Sequence, residues 1–278
     1  MADGRAGTTE PVAVAAAVGF HGVGKTFSVP GGGTYTVLHN LSLTVGAGEF
    51  VSIVGPTGGG KSTLLNLAAG LLVPDAGDVL VFGEPLRGLN RRASYLFQSD
   101  VLLPWKTAEH NVMLGLQFRR LPPAEARVRA RDWLARVGLA GFENRYPHHL
   151  SGGMRRRVAL AQALIIDPEI LLMDEPFSAL DVQTRQIMEN DLLELWQEDR
   201  KTVVFVTHDL EEAIALADRV VVLSAGPASR VLGEYTVGLA RPRDVAEIRL
   251  TTGFLDIYRR IWEQLRGEVA KAYAQRQR

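Results

Sequence analysis

Cysteine is absent from all 278 residues. That excludes disulfides and thiol chemistry, and it is compatible with a reducing compartment. An excess of charge of either sign is also missing: 31 lysines and arginines are balanced by 31 aspartates and glutamates. Such a chain has no global electrostatic footprint for nucleic acid, and no nucleic acid is expected as a partner. Long apolar runs are missing as well, since no stretch of about 18 or more apolar residues is available to cross a bilayer. The Ala- and Val-rich residues 12–18 are too short for that, and Asp3 and Glu10 spoil the basic start of a signal peptide. They are expected to form a first strand, preceded by a flexible tail at residues 1–10. No internal repeat is found. What is present is ordinary: 46% hydrophobic and 22% charged residues, enough for a core of normal size.

Short apolar runs punctuate the chain. Residues 50–54, 94–97, 170–173, 203–206 and 220–223 read as strands. Residues 61–72, the stretch through 191–196 and residues 210–216 carry helical spacing. Strands alternating with helices imply a mostly parallel sheet covered on both faces. The turn Asp75-Ala76-Gly77 precedes a further short strand through Val79 and Val81. The early segments suggest an additional antiparallel piece. From Glu109 to Val137 the pattern is helical, interrupted by Pro122-Pro123, and another helix follows Ser151. The expected fold class is therefore α/β. A core with a mostly parallel sheet, an antiparallel β subdomain and an inserted α-helical subdomain at residues 98–158 make up residues 11–240. Residues 241–278 form a C-terminal helical extension, with Phe254, Ile257, Ile261, Leu265 and Val269 spaced along one face that packs on the chain's own core.

The pattern G-x4-G-K-[ST] occurs twice. The first copy runs from Gly19 to Lys25-Thr26, the second through Gly55, Pro56, Thr57, Gly58, Gly59, Gly60, Lys61, Ser62 and Thr63. A phosphate loop must join a buried strand to a helix N-terminus, where free N–H groups and the helix dipole meet the phosphates. Only the second copy has that context. After the first come Pro30 and Gly31-Gly32-Gly33, where no helix starts, so Lys25 reads as a surface residue. In the second copy the glycines let the backbone curl towards phosphate oxygens. Lys61 brings positive charge to the β- and γ-phosphates, and the Ser62 hydroxyl faces Mg²⁺.

The apolar run ending in Met173 leads into Asp174-Glu175-Pro176. A buried strand does not end in adjacent acids without compensation, and Mg²⁺ supplies it. Asp174 is the candidate metal holder, and Glu175 the candidate that polarises an attacking water. His208 ends the next strand and can reach the γ-phosphate; Gln98 ends another, with its amide placed to sense Mg²⁺ or water.

Ser151, Gly152, Gly153 and Met154 at a helix start form a second anion-binding device. One chain has no use for a second γ-phosphate site unless another subunit supplies the nucleotide. At this point the sequence resembles the ABC ATPase family over nearly its whole length. The matching elements stand in family order: the loop of residues 55–63, Gln98, the Leu150-Ser151-Gly152-Gly153-Met154 signature, Asp174-Glu175, Ser178-Ala179-Leu180-Asp181 of the D-loop, and His208. The resemblance implies an ATPase using ATP and Mg²⁺, in which two copies pair head to tail and each signature covers ATP held by the other copy. It implies that Phe27, the aromatic upstream of the loop, stacks on adenine, with Tyr35 as its rival. Gly59 departs from the family by standing where larger residues are common, which adds flexibility. Arg156 stands where Gln is usual, and Arg155-Arg156-Arg157 read first as a solvated helix face, and otherwise as extra positive potential near the phosphate of the other copy.

After Gln98, the run Leu102-Leu103-Pro104-Trp105, followed by Asn111-Val112, looks like the importer ATPases for nitrate, alkanesulfonates and taurine. So do the stretches from Ala225 to Arg230 and from Ala240 to Asp244. That resemblance implies a peripheral position on the cytoplasmic side of a membrane. Two transmembrane permease subunits are the implied partners, with a solute-binding protein acting indirectly. Trp105 reads equally as a rigid anchor for a permease helix or as a core side chain. Two other classes remain as alternatives: a soluble ABC ATPase acting on nucleic acid or the ribosome, and a monomeric phosphate-loop kinase.

Overall fold

The computed structural model describes residues 16–29 and 31–276, so the expected tail and most of the expected strand at 12–18 lie outside the described residues. Strands β1 (Ala16–Ser28) and β2 (Thr34–Gly46) pair antiparallel. With β4 (Ala76–Val81) and β5 (Glu84–Pro85) they make a four-stranded sheet in the order β2-β1-β4-β5. The first glycine-lysine motif thus lies inside a strand. Lys25 is not the surface residue expected: its side chain is 14% exposed, and its ammonium is held 2.8 Å from both Asp75 Oδ1 and the Val73 carbonyl.

The second sheet explains the apolar runs. Strands β3 (Phe50–Val54), β6 (Ala93–Leu96), β7 (Ile170–Asp174), β8 (Thr202–Val206) and β9 (Arg219–Leu223) are parallel, and β10 (Val231–Thr236) is antiparallel to β9. Their order is β10-β9-β3-β8-β7-β6. Successive side chains of a strand point to opposite faces. Val51 and Ile53 accordingly join Leu172, Val204 and Val221 under the antiparallel sheet. Phe50 and Val54 join Met173, Phe205 and Val222 under the helices of the other face. A strand lacking a polar face needs both covers.

Helix α1 (Lys61–Ala68) lies in the first of these cores. It ends four residues before the expected Leu72. Gly70 follows in the left-handed region (φ +70°), and a Cβ there would stand 1.9 Å from the Gly88 carbonyl oxygen. Asn90 then satisfies a helix-end carbonyl, donating from Nδ2 to Ala68 O at 2.9 Å. The helical insertion holds α2 (Ala108–Val112), α3 (Leu114–Phe118), α4 (Pro123–Arg136) and α5 (Gly152–Leu164). Helix α5 thus runs past residue 158 to pack beside β6. The arginine run on it is not a solvated face. Arg156 is buried and pairs with Asp100 Oδ1 at 3.5 Å, Arg155 Nε lies 3.3 Å from Asp100 Oδ2, and Arg157 pairs with Asp191 at 2.7 Å. Three consecutive helical residues point about 100° apart, so Arg157 turns to Asp191 while Arg155 and Arg156 share Asp100 and tie α5 to the segment just after Gln98.

Helix α6 (Val182–Asp199) begins well before the expected stretch, and α7 (Leu210–Leu216) follows β8. The C-terminal extension contains α8 (Val245–Ile248) and α9 (Thr252–Arg276). Phe254, Ile261 and Leu265 are buried as expected, but Val269 is 42% exposed because the packed face drifts around the long helix.

Candidate functional site

The carboxyl ends of β3, β6, β7 and β8 gather the candidate residues. Residues 55–60 curl from β3 into α1, with Gly58 and Gly60 at φ +84° and +81°. Gly60 caps α1 without a side chain, and no acid lies in the first turn, so the helix offers its open N–H groups to an outside anion. Lys61 is buried, and its Nζ donates to the carbonyls of Gly55 at 2.9 Å and Pro56 at 3.1 Å. Burial pushes this ammonium down, while Glu175 and Asp174 push it back up. Pro56, Thr57 and Thr63 complete the loop.

Ser62 Oγ donates to Asp174 Oδ1 at 3.0 Å, and the Tyr95 hydroxyl donates to Asp174 Oδ2 at 3.2 Å. Burial raises the Asp174 carboxyl despite both bonds. A hydroxyl beside a desolvated carboxylate is a donor set that fits a small, hard, partly hydrated cation such as Mg²⁺, whose charge would offset the burial. Gln98 does not join that pair. Its Nε2 lies 3.4 Å from Glu175 Oε2, the same oxygen that His208 Nδ1 approaches at 2.9 Å. Glu175 itself adopts φ +44°, a conformation that costs a non-glycine residue about 1 kcal/mol or more. The turn is locked by Glu175 N–H donating to Val206 O at 2.9 Å and by Ser178 Oγ donating to Glu175 O at 3.0 Å.

The signature stands apart from this cluster within one chain. Ser151 caps α5, its Oγ accepting from the Met154 N–H at 3.2 Å. A Cβ on Gly153 would stand 2.7 Å from Thr184 Cγ2, so the signature abuts the start of α6. Asp181 caps that helix, and the Thr184 N–H holds its carboxyl below the usual range. Ser178, Ala179, Leu180 and Asp181 thus connect Glu175 to the signature. Phe27 and Tyr35 are directly opposite in the β1–β2 register and similarly exposed, at 36% and 39%. The two rivals for adenine therefore share one patch.

Several contributors carry no sequence motif. A Cβ on Gly59 would stand 2.9 Å from the Ser224 carbonyl and 3.0 Å from that of Pro56, so this glycine is required by close approach rather than adding flexibility. The segment pressing on it is fastened from far away: Glu268 of α9 accepts the Ala225 N–H at 2.8 Å. Behind His208, Thr207 Oγ1 donates to the buried Glu212 and accepts the Asp209 N–H at 3.0 Å. Asp209-Leu210-Glu211-Glu212 resembles a capping box, the only signal the sequence offered. Glu212 and its neighbour Glu189 each leave one oxygen unpaired, and burial raises their carboxyls to about 8 and about 7.

The unfolded carboxyl loses its proton near 4.5, whereas folded Glu212 holds it to about 8. The folded state thus binds the extra proton between those values, and this contribution is lost as pH rises through the window. The wild-type Tm should fall from about pH 6 to about pH 8.5, and the Glu212→Gln protein should fall less over the same interval. Parallel melting curves would contradict the assignment.

Residues 38–178 match the sequence model of the ABC transporter family. The chain is 42% identical to the nitrate import ATP-binding protein NrtD of Synechococcus elongatus, over 81% of this chain and 82% of that one. It is 45% identical to the taurine import ATP-binding protein TauB of Yersinia pestis, over 70% and 76%. Among solved structures, the ATP-binding cassette MJ0796, a dimer in a post-hydrolysis state bound to ADP and Pi, superposes with a TM-score of 0.70. It is 36% identical, with 80% of this chain and all of that chain covered.

Proposed function

The chain belongs to the ABC transporter family, and from that premise we propose that it powers an importer for a small anionic or organic solute of the nitrate, sulfonate or taurine kind. The chain is an ATPase. The observation that carries its proposed chemistry is the convergence of Gln98 and His208 on one oxygen of Glu175, beside the phosphate loop. Lys61 and the open N–H groups of α1 neutralise the β- and γ-phosphates. Ser62 and Asp174 would hold Mg²⁺, which would supply positive charge against the negative charge of the phosphates. Glu175 polarises the attacking water, His208 and Gln98 fix its position, and Phe27 or Tyr35 stacks on adenine. Ser151, Gly152, Gly153 and Met154 of a second copy close over the γ-phosphate, and residues 178–181 link that closure to Glu175. Preorganised charge and positioning supply most of the rate gain.

The transport reading is supported by a surface beside Gln98. Tyr95, Phe97, Val101, Gly115, Phe118 and Ile166 line a groove of about 280 Å³. Phe118 is 84% exposed, and Trp105 nearby in sequence is 70% exposed, which removes the core reading of that tryptophan. No helix among the described residues is long and apolar enough to cross a membrane. Large apolar side chains around a groove suit a helix end of a membrane subunit, reached from the cytoplasmic side. Arg155 and Arg156 connect this segment, through Asp100, to the signature helix, so closure of the dimer is transmitted to the groove. The test is affinity capture of tagged chain from detergent-solubilised membranes of its source with Mg-ATP. A multi-span membrane protein should co-purify, and Trp105→Ala with Phe118→Ala should reduce its recovery about tenfold or more. Recovery of ribosomes, nucleic acid or soluble proteins alone would overturn the transport reading.

A further inference from the structure

Helix α9 carries more apolar surface than its own core uses. One stripe, Phe254, Ile261 and Leu265, is buried against the domain. A second stripe comprises Tyr258, Trp262, Leu265, Val269 and Ala272, spaced four and three residues alternately, with Tyr273 beside it. That spacing is the seam a helix presents to a neighbour. Among the described residues this stripe is only partly covered: Leu265 is buried and Tyr258 touches the core, but Trp262 and Val269 are each 42% exposed and Tyr273 is 66% exposed.

The second stripe does not face open solvent at random. It forms one wall of a cavity of about 570 Å³ whose opposite wall is Gly55, Pro56, Thr57, His208, Asp209 and Glu211. Those residues begin the phosphate loop and surround the end of β8. In a head-to-tail pair they lie on the face turned towards the second copy, because the nucleotide is covered from that side. The exposed seam of α9 is therefore continuous with the dimer face. Tyrosine and tryptophan flanking a cleft, with apolar area and few rotatable bonds, are the residue types that anchor protein interfaces.

We infer that the Tyr258–Trp262–Val269–Tyr273 face of α9 is an additional contact surface for a second copy of this chain, engaged when ATP closes the pair. The inference rests on the proposed head-to-tail dimer. It assigns the C-terminal extension, which lies outside the segment matching the family model, a part in closure. Each closed pair buries two such faces by symmetry.

The experiment uses the full chain carrying Glu175→Gln, which holds ATP without turning it over, and measures mass by sedimentation in Mg-ATP. Trp262→Ala with Tyr273→Ala should weaken ATP-driven pairing about ten- to hundredfold, with nucleotide affinity of the monomer unchanged. Tyr273 is 66% and Trp262 42% exposed, and an unchanged melting temperature of the double variant checks that the fold is kept. The absence of cysteine permits a second readout. A cysteine introduced by Tyr273→Cys should react with maleimide about tenfold more slowly in the closed pair than without nucleotide. A control at Val128, 69% exposed on α4, should not change. If the parent pairs but the double substitution pairs equally well and position 273 stays reactive, the α9 contact is wrong and the dimer stands. Protection at 273 only when a membrane subunit is added would give the surface to that partner and overturn the inference. If the parent remains a monomer in saturating Mg-ATP, the dimer reading falls and the inference with it.

Discussion

Glu175→Gln protein should bind Mg-ATP and pair with a second copy, yet release phosphate about 10² to 10³ times more slowly than wild type. The expectation comes from where the carboxylate sits. Glu175 is held in a left-handed turn by Val206 and Ser178, and one of its oxygens faces both His208 and Gln98. Glutamine keeps the size of the side chain and its hydrogen bonding, so the turn and the loop around it should survive. What it removes is the negative charge that draws a proton from water as the water attacks. Substrate affinity should change little, because this interaction strengthens only in the transition state. Phosphate release at saturating ATP, paired with a nucleotide-binding titration, separates the two effects. Near-normal turnover would remove Glu175 from the reaction.

Lys61→Ala should lose both nucleotide affinity and turnover, the latter again by about 10² to 10³. Its ammonium is buried at the mouth of the loop and donates to two loop carbonyls. Phosphate oxygens entering the loop gain a cation already in place, so no side-chain ordering remains to oppose binding. Lys25→Ala is the informative partner of this variant. Lys25 belongs to an identical short pattern, but its charge is matched by Asp75 at a turn between strands. Removing it should leave turnover within about twofold, because such a half-exposed pair contributes on the order of 1 kcal/mol or less. Binding of a fluorescent nucleotide and phosphate release by the two variants decide the matter. Loss of activity in Lys25→Ala with retention in Lys61→Ala would reverse the assignment.

The contrast between those two lysines shows what was legible in the sequence. Both copies satisfy the same pattern, and their neighbours tell them apart: a buried strand and a helix start around Lys61, proline and glycines after Lys25. Local propensity therefore separates the strand, loop and helix around Lys61 from the strand that holds Lys25, and wholly apolar runs located the parallel strands, since such runs need cover on both faces. The strand ends placed Asp174, Glu175, Gln98 and His208 near one another because parallel strands align their carboxyl ends. What stayed hidden depends on contacts between distant residues. No pattern links Glu268 to Ala225, or Tyr95 to Asp174, because each contact is created by packing after the elements form. The requirement for glycine at position 59 is of the same kind, set by a carbonyl 165 residues further along. The arginine run looks solvated by composition, whereas in the fold Arg155 and Arg156 share Asp100 and Arg157 meets Asp191. The end of α1 is likewise invisible to local propensity, because Gly70 stops the helix against another segment, the one carrying Gly88.

Within one chain, the Ser151–Gly153 backbone has no hydrogen bond to the phosphate loop among the described residues, although both are built as anion sites. On the proposed function, a second chain therefore completes each active site. The direct measurement is the rate of phosphate release per mole of wild-type chain, followed across a dilution series at saturating Mg-ATP. A rate that rises with protein concentration and levels off once pairing saturates is the predicted result. A rate independent of concentration, from protein that sediments as a monomer throughout, would contradict the account.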